Sequence, residues 1–492
     1  MSMAAVKDND ANRAGVPPAA AGVTLVLGMG GTGASCARYL AARDRPALFA
    51  DTRRQPPGLA AIRAAMPAAP VYTGEPLASL PAGVDRVLVS PGVDLHLSVL
   101  AEARRRGVPV LSDIDLFAAE ATAPITAITG SNGKSTVTAM VGAMLAGRPA
   151  AKDAPVAVGG NLGTPALDLL APTVGHYVLE LSSFQLERSA PLKVVAATVL
   201  NITPDHLDIH GDLTGYTAAK ARIYARCGVA VVNRDEPDLA ALVPAGTPVI
   251  GFGLGELMAG DFGIVMHDDA PWLARGAGAS GGAGASRAAA GAPGLLLPVA
   301  ALPVTGRHNV SNALAALALA SVSVADLEEL LPGLRTFKAL PHRMALVARR
   351  NGVTWIDDSK ATNVGAAVAS IGSVEGPLVL IAGGDAKGAS FETVATALEG
   401  RASRGEAVVI LLGRDRERLA DAMDGICPLH RVDDMPAAVN LAAGLAGYGW
   451  TVLLAPACSS LDMYTDYGAR GRAFCDAVRA LPATDRGAGS HG

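Results

Sequence analysis

Short apolar runs return along this chain at intervals that a helix would fill. Val23 to Leu27, Ala47 to Ala50 and Arg86 to Val89 form a first group. Ile125 to Thr129, His176 to Glu180 and Val194 to Asn201 form a second. The run leading into Trp355, with Leu378 to Ala382, Ala407 to Leu412 and Thr451 to Leu454, forms a third. Rich in Val, Ile, Leu and Ala, they read as buried strands, and polar or glycine residues close them before a stretch of helical period. The expected helices include Ala34 to Ala42, a linker helix within Ser112 to Pro124, Val137 to Leu145, Tyr216 to Ala225 and an alanine-rich one reaching Ala320. Strand alternating with helix predicts an α/β chain of three domains, residues 21–113, 114–339 and 340–492. Two stretches break the pattern. Residues 1–20 mix charges with prolines and read as a disordered tail. Residues 276–294 are almost pure Gly, Ala and Ser, so they are expected to form a dispensable surface insert.

The sharpest chemical signal follows the Ile125 to Thr129 run. Gly130-Ser131-Asn132-Gly133 is a glycine turn, and Lys134-Ser135-Thr136 opens the next helix. This arrangement cradles phosphate: backbone N–H groups and the helix N-terminus face the anion, the lysine neutralises it and a hydroxyl holds Mg²⁺. Ile128 stands where the usual pattern has its first glycine, so the loop is a shortened variant. The middle domain therefore reads as a P-loop ATPase-type α/β fold. In the first domain Gly28, Gly30 and Gly33 precede a helix, Thr32 lies among them, and Asp51-Thr52-Arg53 follows about twenty residues on, as in a Rossmann-like domain. Ser90-Pro91-Gly92 offers further amides. The implied ligand there is nucleotide-like.

Glu180 and His206, at or just after strand ends in the domain of the phosphate loop, are placed as metal ligands. His210 lies four residues after His206 and raises the question of zinc, but no third soft ligand has the spacing. Lys220 has small or apolar neighbours, and by pattern alone it reads as a surface lysine with its stem laid down. In the third, Rossmann-like domain Asp357 to Asn363, Gly383 to Lys387 and Ala455 to Asp462 collect Asp, Lys, Ser and Thr at strand ends, a second ligand face. Two classes stay open at this point. One is a nucleotide-driven switch or transporter subunit; the other is an enzyme that uses Mg-ATP or Mg-GTP to make a small-molecule bond. Polar strand ends in separate domains favour the enzyme.

Composition narrows the setting. A formal charge of −4 over 492 residues gives no electrostatic reason to expect nucleic acid or an anionic membrane as partner. The five cysteines have no CxxC spacing, which argues against zinc and disulfides and fits a reducing compartment. No apolar run approaches the roughly 20 residues of a membrane span, and charges and prolines stand where a signal peptide would have its apolar core. A cytoplasmic protein is expected.

Thr129 to Thr136, Gly160-Asn161, Glu180 to Leu186 and Asn201 to Asp208 together resemble the Mur ligase family. Within that family the N-terminal Gly28 to Gly33 turn with Asp51-Thr52-Arg53, Asp358 to Asn363, and Pro456 to Asp462 look like the branch that adds D-glutamate to UDP-N-acetylmuramoyl-L-alanine. The resemblance runs through nearly the whole chain apart from its two tails and the insert. It implies ATP-dependent ligation through an acyl phosphate, a step of peptidoglycan precursor synthesis, by an enzyme with small-molecule partners and two Mg²⁺ ions, expected to be a monomer.

The resemblance also assigns roles. Thr32, Asp51, Thr52, Arg53 and Ser90 would hold the UDP part of the substrate, and Asn161 the muramoyl end. Gly130, Ser131, Asn132, Gly133, Lys134, Ser135 and Thr136 would hold the ATP phosphates, with Lys134 on the β and γ groups. Asn309 and Asn312 would meet the adenine; Arg343, Asp358 and Lys360 the ribose and phosphates. Ser135, Glu180, His206 and Lys220 would surround metal, Lys220 matching a lysine the family carbamylates. Lys134, His206 and Lys220 would be catalytic. Thr362, Lys387, Ser460 and Tyr467 would fix D-glutamate, with Tyr467 where the family often has Phe. Sibling ligases adding another amino acid, folylpolyglutamate synthetases and, further off, an ATP-dependent switch remain the alternatives.

Overall fold

The computed structural model describes residues 22–278, 292–304 and 306–482. The expected tail, residues 1–20, and most of the expected insert lie outside the described residues. Among those described, three sheets form, two in a first compact unit and one in a second.

The first sheet runs Val71–Thr73, Ala47–Asp51, Val23–Leu27, Val84–Val89, Val110–Leu111, all parallel. The order reverses between Val23–Leu27 and Val84–Val89, which opens the crevice where such sheets bind ligands. The two outer strands escaped the sequence pattern because they have three and two residues, too few for a run to register. The expected linker helix is Asp113–Glu120. Ser112 and Asp115 start it with a reciprocal capping box, which satisfies two otherwise orphan backbone donors.

In the second sheet six parallel strands run Val249–Phe252, Cys227–Asn233, Val194–Val199, Ile125–Thr129, His176–Glu180, Val156–Gly160. The phosphate-loop strand sits inside, between the strand ending in Glu180 and the one leading to Asn201. Beyond Val249–Phe252 the sheet continues through Phe262–His267, Ala270–Arg275 and Gly294–Pro298, the last two joins antiparallel. The hydrophobic pattern missed this extension because its strands are only partly buried; Met266, for one, is exposed. Arg275 pairs with Gly294, so the low-complexity stretch is the connection of one antiparallel pair. Its last residue, Gly294, belongs to a strand rather than to the insert.

The third sheet, in the second unit, runs Ala345–Arg350, Val353–Asp357, Thr451–Leu454, Leu378–Gly383, Ala407–Leu412, Leu429–Arg431, parallel except for its first pair. Alternation across the strands explains its two cores. Leu378, Leu380 and Ala382 face one apolar cluster with Ile371, Leu398 and Leu419. Val379 and Ile381 face another with Val439, Phe474 and Val478. Each such Leu or Ile side chain contributes about 1.5–3 kcal/mol of burial. Helices on both faces are what a run with no polar alternation demands.

Candidate active site

The loop after Ile125–Thr129 has a conformation that its glycines permit. Gly130 has φ +150° and Gly133 φ +81°. The left-handed φ of Gly133 would strain any other residue, and a Cβ there would lie 2.6 Å from the Asn312 Oδ1. Asn201 clamps the loop. Its carbonyl accepts from the Ser131 N–H at 2.9 Å, its side-chain oxygen from the Asn132 N–H at 2.8 Å, and its amide donates to the Asn132 carbonyl at 3.1 Å. Helix Lys134–Ala146 starts directly from the loop, so its first N–H groups and its dipole face the same space. The Lys134 Nζ folds back to donate to the carbonyls of Gly130, 2.8 Å, and Ser131, 2.7 Å. Ser135 and Thr136, in the first turn of that helix, are buried.

Lys220 corrects the pattern-based reading of a surface lysine. It lies on helix Leu213–Ala221, is 1% exposed, and donates to the same Gly130 carbonyl at 2.8 Å, with the Thr129 hydroxyl at 3.4 Å. Its small neighbours make room for a buried stem, a placement that the pattern ranked below the surface one. Two lysines thus converge on one carbonyl of the phosphate loop.

Glu180 ends the neighbouring strand, level with Ile128 across the ladder, and is 3% exposed. Its Oε1 accepts from the Asn161 amide at 2.7 Å, and the Asn161 N–H donates to its carbonyl at 2.8 Å. Its Oε2 is buried without a hydrogen-bond partner among the described residues. A buried carboxylate oxygen in that state is costly unless a cation meets it. Glu180 and Ser135 therefore suit a hard divalent ion of the Mg²⁺ kind, which takes oxygen ligands and phosphate together.

At the first sheet's crevice, Asp51 takes hydrogen bonds on both oxygens. Met29 N–H donates to Oδ2 at 2.7 Å, and Arg53 donates through its N–H at 2.9 Å and its guanidinium at 2.9 and 2.6 Å. Burial pushes this carboxyl up, but the Arg53 and backbone hydrogen bonds outweigh it and hold Asp51 down at about 2. Asp51 thus aims Arg53 and pins the glycine turn. Ser90 bridges the crevice by donating to the Gly28 carbonyl at 3.1 Å; Thr32 begins the first helix, and Thr52 is exposed beside Arg53.

In the second unit, the carboxyl ends of Val353–Asp357, Leu378–Gly383 and Thr451–Leu454 carry the other candidates. Asp358 accepts from the Ser370 hydroxyl and from the Met344 N–H at 3.2 Å. Burial pushes its carboxyl up to about 6, against the pull of Ser370, Met344 and Arg343. The Lys360 Nζ lies 4.0 Å over the Tyr467 ring, which gives the unusual tyrosine a cation–π role that a phenylalanine would also serve. Asp385 and Ser459 zip together by two backbone hydrogen bonds of 3.0 and 2.9 Å. That bridge joins the segment of exposed Lys387 to that of buried Ser460. Thr362 follows Lys360 on the adjoining strand end, its N–H donating to the Lys360 carbonyl at 2.7 Å. His206, also in this unit, has a left-handed backbone, φ 54°, and its Nε2 lies 3.7 Å from Asp205. Asn309 and Asn312 lie one turn apart on helix Arg307–Ser321.

Sequence reading assigned no role to Arg470. It is 2% exposed; its guanidinium donates to the Ser359 hydroxyl, 3.0 Å, and to the carbonyls of Ser359, 2.9 Å, and Cys458, 3.1 Å, while the Ser359 hydroxyl donates to the Tyr467 carbonyl at 2.8 Å. One cation therefore ties two strand ends to the start of helix Tyr467–Ala480. A signal existed: Arg470 falls four residues before Phe474 and eight before Val478, on the buried stripe of that helix.

Three α/β sheets, two with phosphate-loop or Rossmann-type crevices and the third with a cluster of polar strand ends, define a multi-domain α/β protein of the nucleotide-binding kind. The Mur ligase middle domain matches residues 128–320, the Mur ligase MurD-like N-terminal domain 22–112, and the Mur ligase glutamate ligase domain 342–458. The UDP-N-acetylmuramoylalanine–D-glutamate ligase of Methylococcus capsulatus is 45% identical over 459 residues, 93% of this chain and 94% of that protein. The protein of the same name from Pseudomonas putida is 46% identical over 93% of this chain and 97% of its own. This chain belongs to the Mur ligase family. Among solved structures, the UDP-N-acetylmuramate–alanine ligase of Thermotoga maritima has a TM-score of 0.59 at 19% identity, covering 93% of this chain and 99% of its own. Folylpolyglutamate synthase of Mycobacterium tuberculosis has 0.51 at 18%, covering 73% and 93%. The fold is thus shared across ligases of different names, and the near full-length identity is what separates them. No helix among the described residues is long and apolar enough to cross a membrane.

Proposed function

We propose that the chain joins D-glutamate to UDP-N-acetylmuramoyl-L-alanine with ATP, a step of peptidoglycan precursor synthesis taking place in the cytoplasm, and that it acts as a monomer. The observation that carries this reading is 45% identity over 93% of the chain to ligases of that name.

A carboxylate is a poor acyl donor. Transfer of the γ-phosphoryl group of ATP to the L-alanine carboxylate gives an acyl phosphate, and the amine of D-glutamate then attacks the acyl carbon and expels phosphate. The loop amides of residues 130–133 and the Lys134–Ala146 helix terminus hold the phosphates, and Lys134 exchanges its two loop carbonyls for the β and γ oxygens. Asn312, against Gly133, and Asn309 meet the adenine; Arg343, Asp358 and Lys360 meet the ribose and phosphates.

Ser135 and Glu180 would hold a first Mg²⁺ and His206 a second; such ions would supply positive charge to offset that of the transferring phosphoryl group. Carbamylation of Lys220 would turn a buried cation beside the loop into a carboxylate facing metal. Asn161, oriented by Glu180, steadies the muramoyl end. Thr32, Arg53 and Ser90 hold the uridine diphosphate, with Asp51 and Thr52 setting Arg53. Lys387, Thr362 and Ser460 hold the glutamate carboxylates, with the Tyr467 ring and Lys360 beside them.

The test is phosphate release from ATP with UDP-N-acetylmuramoyl-L-alanine present, comparing D-glutamate with L-glutamate, L-lysine and meso-diaminopimelate. Release with D-glutamate alone, and a matching UDP-linked product by mass, is the expected outcome. Release with another amino acid would move the chain to a sibling activity.

A further inference from the structure

A cluster outside the proposed machinery brings three metal-ligating side chains together in the second unit. His342, Asp357 and Cys475 offer an imidazole nitrogen, a carboxylate oxygen and a thiol sulfur, all within 4.8 Å of one another. One oxygen is the hub: Asp357 Oδ2 lies 2.6 Å from His342 Nδ1 and 3.4 Å from Cys475 Sγ. Around a tetrahedral zinc-type ion, bond lengths near 2.0–2.1 Å to N and O and 2.3 Å to S set neighbouring ligand atoms roughly 3.3–3.6 Å apart. The oxygen–sulfur spacing already fits, and the nitrogen–oxygen spacing needs to open by less than about 1 Å.

The surroundings are built for close approach. A Cβ on Gly471 would lie 2.2 Å from His342 Nδ1, so only glycine lets the imidazole lie against helix Tyr467–Ala480 there. Cys475 is one turn further along the same face. His342 has a left-handed backbone, φ 60°, and its carbonyl accepts from the Lys360 N–H at 3.1 Å. Asp357 is 1% exposed and its Oδ1 accepts from the Ser359 N–H at 2.9 Å, while the His342 side chain keeps 17% exposure. Asp357 is thus anchored by its second oxygen, and the His342 side chain is the partly exposed one.

We propose that His342, Asp357 and Cys475 form a binding site for a soft divalent cation of the zinc type, distinct from the phosphate-loop ions, and that its occupation inhibits the enzyme. Binding replaces the thiol proton: the ion bonds to sulfur, carboxylate oxygen and imidazole nitrogen, one proton leaves, and no redox change occurs. Inhibition follows from adjacency and rests on the ATP-contact reading above. The ligands bracket Arg343 and Asp358 by one residue each and are hydrogen-bonded to the segment that carries Lys360.

The probe is Co²⁺ added to the full chain. A thiolate-to-cobalt charge-transfer band at one equivalent, displaced by Zn²⁺ and absent in Cys475→Ser, is expected. Ligation independent of Cys475, or no band in the wild type, overturns the site. Zn²⁺ inhibition at saturating Mg-ATP should weaken at least tenfold in Cys475→Ser, whose uninhibited rate stays near wild type. Equal inhibition of both would overturn the coupling. Cys427→Ser, a control elsewhere in the same unit, should keep the band. The band is read without turnover, so its loss is distinguishable from a failure of the proposed activity.

Discussion

At the scale of single residues, the phosphate loop is organised by what surrounds one carbonyl. Gly130 O accepts from both Lys134 and Lys220, so two cations share one acceptor of the loop. Lys134→Ala should abolish phosphate release while leaving the unliganded melting temperature within a few degrees, since that side chain is only half-buried and bonds to loop carbonyls. Lys220→Ala removes a fully buried stem as well as a charge. It should lower activity by at least a hundredfold and, if carbamylation is its role, recover partly with added short carboxylates; lack of any recovery in a folded variant would leave only the structural role. Glu180→Gln is the complementary case. It keeps the Asn161 contact but cancels the orphan charge, so the unliganded protein should gain stability while the dependence of the rate on Mg²⁺ shifts to much higher concentration. Lys220 also shows what sequence could carry. Its small neighbours were visible, but burial depends on a partner ninety residues away, and no local pattern encodes that distance.

Elements come next, and here the runs buried on both faces were legible. Ile125–Thr129, Leu378–Gly383 and Ala407–Leu412 are apolar throughout, and the polar residues that close such strands mark the ligand edge. Partly exposed strands such as Phe262–His267, and strands of two or three residues, were not legible, because a short or mixed run competes with any loop. The Arg275 to Gly294 pairing makes a prediction about the low-complexity stretch. Replacing residues 277–292 with a two-residue turn should leave activity and melting temperature near wild type, since the two strand ends are already neighbours. A large loss on circular dichroism melting would give the stretch a structural role.

The first turn of helix Asp113–Glu120 makes a second prediction. Burial pushes the Asp113 carboxyl up to about 6, against hydrogen bonds from the backbone of Ile114 and its own N–H. Its unfolded value is near 3.9. Below about pH 4 both states are protonated and nothing is lost; between about 4 and 6 the unfolded chain releases a proton that the folded chain keeps, so stability falls as pH rises; above 6 the cost is complete. Asp113→Asn should therefore stabilise the protein at pH 8, by up to about 3 kcal/mol, and hardly at all at pH 4. Denaturant titrations of both proteins at the two pH values decide it, and a gain independent of pH would show that the charge is not what burial opposes there.

At the scale of the molecule, fold and specificity part company. Ligases with different names share this architecture at under 25% identity, so the sheets themselves do not choose the amino acid. What the strand ends present is then where the choice falls, and in the second unit a buried guanidinium adds to the Asp385–Ser459 bridge in tying those ends. Arg470 reaches the Ser359 and Cys458 segments, and Ser359 passes the contact to Tyr467. Each segment borders a residue assigned to D-glutamate, whereas the loop, Lys134 and Glu180 lie in the first unit. A lysine at 470 can reach one acceptor but not the fork of three, so Arg470→Lys should raise the KM for D-glutamate tenfold or more, with the KM for ATP moved far less. Hydrogen exchange supplies the spatial counterpart. Adding D-glutamate to enzyme already holding the UDP substrate and a non-hydrolysable ATP should add protection around residues 359–362, 385–388 and 458–467, and Arg470→Lys should erase that increment while keeping the protection of residues 130–136 by nucleotide. Equal losses in both regions would mean that the arginine holds the unit together rather than arranging its ligand edge.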